Sequence, residues 1–210
     1  MITANAALQR LQQGNKRFVS GVRSIDSLVK QMQRQDFVDG QAPFAIILGC
    51  SDSRVPAELV FDQGLGDLFV IRVAGNIVAP SQVGSVEFAA SQFGTPLVVV
   101  LGHSMCGVVM ATVEEIKRPS EQTSSNVLSI VSRIRPSVEL LLETDLHDDP
   151  EYLLKAAIRS NTLASTNSLR HGSQMLEQLI LEDRLAIVAA EYSLETGVVE
   201  FFGSTRIHVG

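Results

Sequence analysis

Short apolar runs alternate with amphipathic stretches along most of this chain. Phe44-Ala45-Ile46-Ile47-Leu48, Leu68-Phe69-Val70-Ile71-Arg72-Val73, Pro96-Leu97-Val98-Val99-Val100-Leu101 and Leu185-Ala186-Ile187-Val188-Ala189-Ala190-Glu191-Tyr192 are nearly continuous in apolar residues. They predict strands buried on both faces, as in a parallel sheet. Between them, Val83, Val86, Phe88, Ala89 and Ala90 recur at helical spacing within 81–93, and Pro56 suits the start of a short helix through Phe61. Further helices are predicted over 106–115, 127–142, 152–171 and 173–181, around a polar connection at 118–126 and an acidic turn at 143–149. Strand, helix, strand order implies right-handed parallel connections. The turn Glu195-Thr196-Gly197 is too short for such a crossover, so Val198-Val199-Glu200-Phe201-Phe202 is expected to pair antiparallel. The expected fold class is therefore α/β: a mainly parallel sheet of four strands plus an antiparallel fifth, flanked by helices.

Two helices precede this pattern. Ala7, Leu8, Leu11 and Phe18 share one face of a helix from Thr3 to Val19, with Thr3 as N-cap, and a second helix is expected near Ile25 to Met32. Neither has a place within a doubly wound unit, so residues 1–40 are expected to form an N-terminal helical arm that packs on a partner subunit.

Composition narrows the class. With 210 residues, 45% of them hydrophobic, the chain suits a single domain over 1–210. A net charge of −6 with scattered Lys and Arg offers no general attraction to nucleic acid or an anionic membrane. Residues 1–20 have no basic start and no uninterrupted apolar segment, so neither a secretory signal nor a membrane span is expected there, and a cytoplasmic location follows. In that compartment two cysteines are more often free, catalytic or metal-bound than joined.

The chemistry gathers in two loops. Cys50-Ser51-Asp52-Ser53-Arg54 follows the first strand, and Gly102-His103-Ser104-Met105-Cys106-Gly107 follows the third. Ligands collect at the carboxyl ends of the strands in open α/β sheets, so the loops are expected side by side. Two thiolates and one imidazole are three of the four ligands of tetrahedral zinc, and three protein ligands leave a position for water or substrate. Asp52 either closes that position or holds a zinc-bound hydroxide. A nucleophilic Cys50 and an ordinary Asp52–Arg54 loop ion pair are the other readings of these residues. Cys106 and Gly107 are expected in the first turn of a helix, where unpaired amides favour a thiolate or an anion. His147, His171 and His208 read as surface residues.

Cys50-x-Asp52-x-Arg54 followed by His103-x-x-Cys106, together with Phe61-Asp62-Gln63-Gly64-Leu65-Gly66-Asp67 and Arg72-Val73-Ala74-Gly75-Asn76, resembles the β-class carbonic anhydrases. The resemblance covers most of residues 8–112 and returns near 185–192. It implies zinc on Cys50, His103 and Cys106, and reversible hydration of carbon dioxide to bicarbonate and a proton by attack of a zinc-bound hydroxide. It implies that Asp52 accepts the hydroxide's hydrogen bond while Arg54 holds Asp52 off the metal, and that Asp52 becomes a fourth ligand when the pair breaks. Gln41 and the Gly107 amide would bind bicarbonate; Phe69, Ala74 and Phe88 would form an apolar wall, partly supplied by a partner in a homodimer or dimer of dimers. Position 88 often carries tyrosine in the family and here is Phe. Ile47 stands where one branch has the tryptophan of a non-catalytic bicarbonate site, so that regulation is not expected. Two alternatives remain at this point: hydrolysis of carbon disulfide or carbonyl sulfide on the same zinc site, and a non-catalytic zinc-stabilised sensor.

Overall fold

Five strands, Ala45–Gly49 (β1), Leu68–Arg72 (β2), Leu97–His103 (β3), Ala186–Tyr192 (β4) and Val199–Phe202 (β5), form one sheet in the order β2-β1-β3-β4-β5. β1 to β4 are parallel and β5 is antiparallel to β4. This is the expected topology. The computed structural model describes residues 2–32, 38, 40–119 and 122–203.

Every residue of β1 and β3 is buried, which explains why their sequences show no polar alternation. Alternate side chains go to opposite faces. Ile47, Val99, Leu101, Val188 and Ala190 pack against Ala4–Val19 (α1) and Ala57–Val60 (α3). Ile46, Leu48, Val98, Val100 and Ile187 pack against Pro80–Phe93 (α4) and residues of two later helices. Gly107–Lys117 (α5), Ser125–Leu142 (α6) and Pro150–His171 (α7) form a third cluster that includes Cys50 and Cys106, just beyond the carboxyl end of the sheet. Leu169 of α7 and Leu176 of Gln174–Leu181 (α8) return to the sheet. Gly102 lets α7 lie directly on β3, because a Cβ there would collide with Thr162 Oγ1.

The N-terminal helices are anchored on their own chain. α1 does have a place in its own chain, since Ala7 and Leu11 are fully buried against the sheet. Asn15 is buried, donates to the carbonyls of Val60 and Gly197 and accepts from the Val199 amide. Ile25–Met32 (α2) is tied down through Asp62, whose carboxylate is buried and accepts from Arg17, Arg23, the Ser24 amide and the Ser27 hydroxyl. α1 thereby shares with α3 the cover of the sheet face that carries Val99, Leu101, Val188 and Ala190. Ile25 and Val29 of α2 stay exposed.

Other differences are local. β3 runs two residues further than expected, because β4 is long enough to pair Gly102 with Glu191 and His103 with Tyr192. Cys106 is therefore the N-cap of α5 and not part of its first turn. Among the described residues, no helix is long and apolar enough to cross a membrane.

Candidate metal centre

β1 and β3 are adjacent, parallel and in register up to Gly49 and Leu101, so both release the chain at the same edge. β2 and β3 lie on opposite sides of β1, and the crevice between β1 and β3 is the switch point of the sheet. Cys50 is the first residue past β1, and His103 is the last of β3.

The Sγ atoms of Cys50 and Cys106 and a ring nitrogen of His103 lie within 4.8 Å of one another, and all three residues are buried. Both cysteines are free thiols, so the pair is not a disulfide. His103 Nδ1 is 2.8 Å from the Ser104 carbonyl oxygen. A carbonyl only accepts, so Nδ1 carries the proton and Nε2 turns its lone pair to the thiols. Nε2 is buried and has no hydrogen-bond partner. Such an orphan costs about 1–3 kcal/mol when nothing meets it.

Charge points the same way. The contact with Cys106, helped by His103 and the Gly75 amide, outweighs burial and pulls the Cys50 thiol well below its usual range. The same contact and burial push the Cys106 thiol up. Burial disfavours a charged His103, yet the Cys50 thiolate and the Ser104 carbonyl outweigh it and raise its pKa. The cluster thus draws positive charge into a buried site. Two sulfurs and one imidazole nitrogen are a zinc donor set, and the residues fit that ion.

The shell around the three side chains is fixed by hydrogen bonds. Asp52 Oδ1 accepts from Arg54 Nε at 2.9 Å and from the Arg54 amide at 3.0 Å, and Oδ2 accepts from Arg54 Nη2 at 2.8 Å. The Arg54 guanidinium holds the Asp52 carboxyl far below the usual carboxylate range. Oδ2 stands 3.9 Å from His103 Nε2, beside the three-ligand group rather than within it. Arg72, at the end of β2, clamps the loop by donating to the carbonyls of Cys50 and Asp52. The Gly75 amide donates to Cys50 Sγ at 3.3 Å, from a residue with φ +73°. Asn161 of α7, itself buried, donates to the Gly75 carbonyl at 2.8 Å.

The residues expected to line a substrate pocket divide into two groups. Ala74 adjoins Gly75, and Gly107 is the first residue of α5, where amides have no acceptor inside the helix. Gln41, Phe69 and Phe88 are not gathered at this chain's centre. Gln41 is exposed in the loop entering β1, at the opposite end of that strand from Cys50. Phe69 pairs with Ile46, about 13 Å of strand away from Cys50. Its ring packs with Phe88 and Phe93 of α4 on the sheet face that α4 covers, where Phe88 is 52% exposed. His147 and His171 are exposed, as expected, and His208 lies outside the described residues.

Three residues of this shell were not assigned a role from sequence. Gly75 follows a strand in the pair Gly-Asn, a turn signal that does not reveal its amide as a thiolate donor. Arg72 closes an apolar run and reads as an ordinary strand end. Asn161 stands 86 residues from its partner in mid-helix, with no local signal at all.

A family model described as carbonic anhydrase matches residues 45–199. The carbonic anhydrase of Mycolicibacterium smegmatis is 38% identical over 205 residues, 98% of this chain and 94% of that protein. The solved β-carbonic anhydrase CcaA is similar with a TM-score of 0.74 at 25% identity, covering 96% of this chain and 94% of that one. A tetrameric β-carbonic anhydrase from Sordaria macrospora shares the fold, with a TM-score of 0.72 at 21% identity over 85% of this chain and 89% of that one. None of these matches supports sulfide hydrolysis or a sensor.

Proposed function

The chain belongs to the β-class carbonic anhydrases, and on that premise we propose that it interconverts carbon dioxide and bicarbonate at a zinc ion held by Cys50, His103 and Cys106. The observation that carries the reading is the partnerless Nε2 of buried His103, aimed at two free thiols beside a carboxylate that Arg54 has locked. When bound there, zinc supplies Lewis acidity that makes water a nucleophile near neutral pH.

The protein's own groups do the rest. The Cys50 and Cys106 thiolates offset a dication's charge, which leaves part of the activation to Asp52. Held ionised by Arg54, Asp52 accepts a hydrogen bond from the nucleophilic water and aims its remaining lone pair. The Gly107 amide, at the positive end of α5, donates to the oxygen that gains charge as bicarbonate forms. Ala74 presents a methyl group to a substrate that is small and apolar. If Arg54 releases it, Asp52 is close enough to His103 to serve as a fourth ligand.

Gln41, Phe69 and Phe88 serve the centre of a second copy in this reading, so the active unit is a homodimer or a dimer of dimers. The exposed ring of Phe88, on α4 beside the edge strand β2, supports that assignment. Residues 1–210 act as one domain, with α2 the part of the N-terminal region left to meet a partner. The free thiols of the centre suit a reducing cytoplasm.

Exchange of ¹⁸O between labelled bicarbonate and water, followed by mass spectrometry, tests the reaction. Label loss well above the uncatalysed rate, abolished by a zinc chelator, is expected. Loss at the uncatalysed rate by zinc-loaded protein contradicts it.

A further inference from the structure

We propose that Glu195, in the turn between β4 and β5, is a positioning residue for the metal ligand His103 and acts on it through Ser104. This rests on the zinc reading of the Cys50, His103 and Cys106 centre. His103 owes its tautomer to one acceptor, the Ser104 carbonyl, so whatever fixes the Ser104 peptide fixes which nitrogen faces the thiols.

The turn from His103 to Cys106 does not hold itself. Met105 sits at φ +55°, a left-handed conformation that costs a side-chain-bearing residue about 1 kcal/mol. The support comes from ninety residues further along the chain. The Ser104 amide donates to the Tyr192 carbonyl at 2.9 Å, and the Leu194 amide donates to Ser104 Oγ at 2.9 Å. Ser104 Oγ has a single proton, and it goes to Glu195 Oε2 at 2.7 Å. With donor and acceptor roles both taken, the hydroxyl cannot rotate, and the Ser104 backbone is held at amide and side chain while its carbonyl receives His103.

Glu195 is in turn fixed by Ser193, whose hydroxyl donates to the same Oε2 at 3.0 Å and accepts from the Thr196 amide at 3.0 Å. The brace is therefore built into the tight turn that makes β5 antiparallel. Glu195 itself is exposed and touches no metal ligand. A carboxylate on the surface has been recruited as a strut for a buried imidazole. Outer-shell partners of metal-bound histidines commonly change metal affinity by about 10–100-fold.

The test is zinc release from the full zinc-loaded chain into a chromogenic chelator. Glu195→Ala is expected to release zinc about 10-fold faster or more, while Glu195→Gln, whose amide oxygen still accepts from Ser104, stays near the parent rate. Ser104→Ala is expected to accelerate release as Glu195→Ala does, and the double variant to go no faster than Ser104→Ala, because the two residues act in series. The cobalt-substituted Glu195→Ala protein should show altered ligand-field bands, with unchanged unfolding temperature once metal is removed. Parent-like release by Glu195→Ala overturns the proposal, as does multiplication of the two effects in the double variant. A parent chain that takes up no zinc overturns the underlying metal reading as well, whereas normal uptake with an unaffected Glu195→Ala variant removes only the role of Glu195.

Discussion

Replacing Gly75 by alanine should damage fold and centre together. Gly75 occupies φ +73°, and an added Cβ would stand 2.8 Å from Ile134 Cδ1 and 3.4 Å from Val108 Cγ1. The left-handed conformation costs alanine about 1 kcal/mol. Ile134 is fully buried among Val109, Val113, Val138 and Ile158, so it has little room to yield, and overpacking of that kind costs about 1–3 kcal/mol. Against this, alanine restricts the unfolded chain and returns about 0.5–1 kcal/mol. The net loss is about 1–3.5 kcal/mol, or roughly 2–14 °C in Tm for a chain of this length. Urea unfolding of metal-free protein, followed by circular dichroism, measures it without the contribution of bound metal. Gly84→Ala in α4 is the control: nothing lies within 4 Å of its added Cβ, and it should gain about 0.5–1 kcal/mol from helix propensity. A Gly75→Ala protein within about 0.5 kcal/mol of the parent would refute the packing argument, and unaltered zinc affinity in the same protein would refute the role given to its amide beside Cys50 Sγ.

Three further outcomes follow from other parts of the structure. Asp52→Ala should keep one zinc per chain by elemental analysis yet lose about 10²–10⁴-fold in stopped-flow hydration; undiminished turnover would remove Asp52 from the mechanism. Asp62→Asn keeps the shape of a buried residue at φ +47° but loses the charge that Arg17 and Arg23 meet, at a cost of about 2–3 kcal/mol near neutral pH. Burial alone would raise the Asp62 carboxyl, but its hydrogen bonds outweigh burial and lower it; its stabilisation is therefore full above the unfolded pKa of about 3.9 and fades as pH falls below it. Parent and variant should converge in acid unfolding curves, and a gap that widens there would contradict the assignment. Phe88→Arg should shift sedimentation toward monomer, with roughly 2 kcal/mol of apolar burial lost per copy and dimer affinity reduced roughly 10³-fold; an intact dimer would place the interface elsewhere.

The sheet was legible because both-face burial writes itself as continuous apolar runs, and the short Glu195-Thr196-Gly197 turn forced the antiparallel strand. The three zinc-type side chains were legible for a related reason: each stands at or just past the carboxyl end of a strand, and strand ends in such sheets converge. What sequence could not show is whatever depends on packing at a distance. The amphipathic face of α1 was plain, but the bonds by which Asn15 ties it to Val60, Gly197 and Val199 of its own chain were not. Gln41, Phe69 and Phe88 could be matched to positions, yet the separation of Phe69 and Phe88 from Cys50 within one chain appears only when β2 is laid beside β1. Arg72 and Asn161 brace the centre by donating to backbone carbonyls distant in sequence, and Glu195 is bonded to Ser104; no periodicity marks such residues.

The most direct test of the zinc-centred account is stopped-flow carbon dioxide hydration by metal-free protein titrated with zinc. No turnover is expected without metal, then a rise in proportion to bound zinc and a plateau at one ion per chain, with Cys50→Ser failing to respond. Turnover that is independent of zinc, or a fully loaded protein that does not hydrate carbon dioxide, would contradict it.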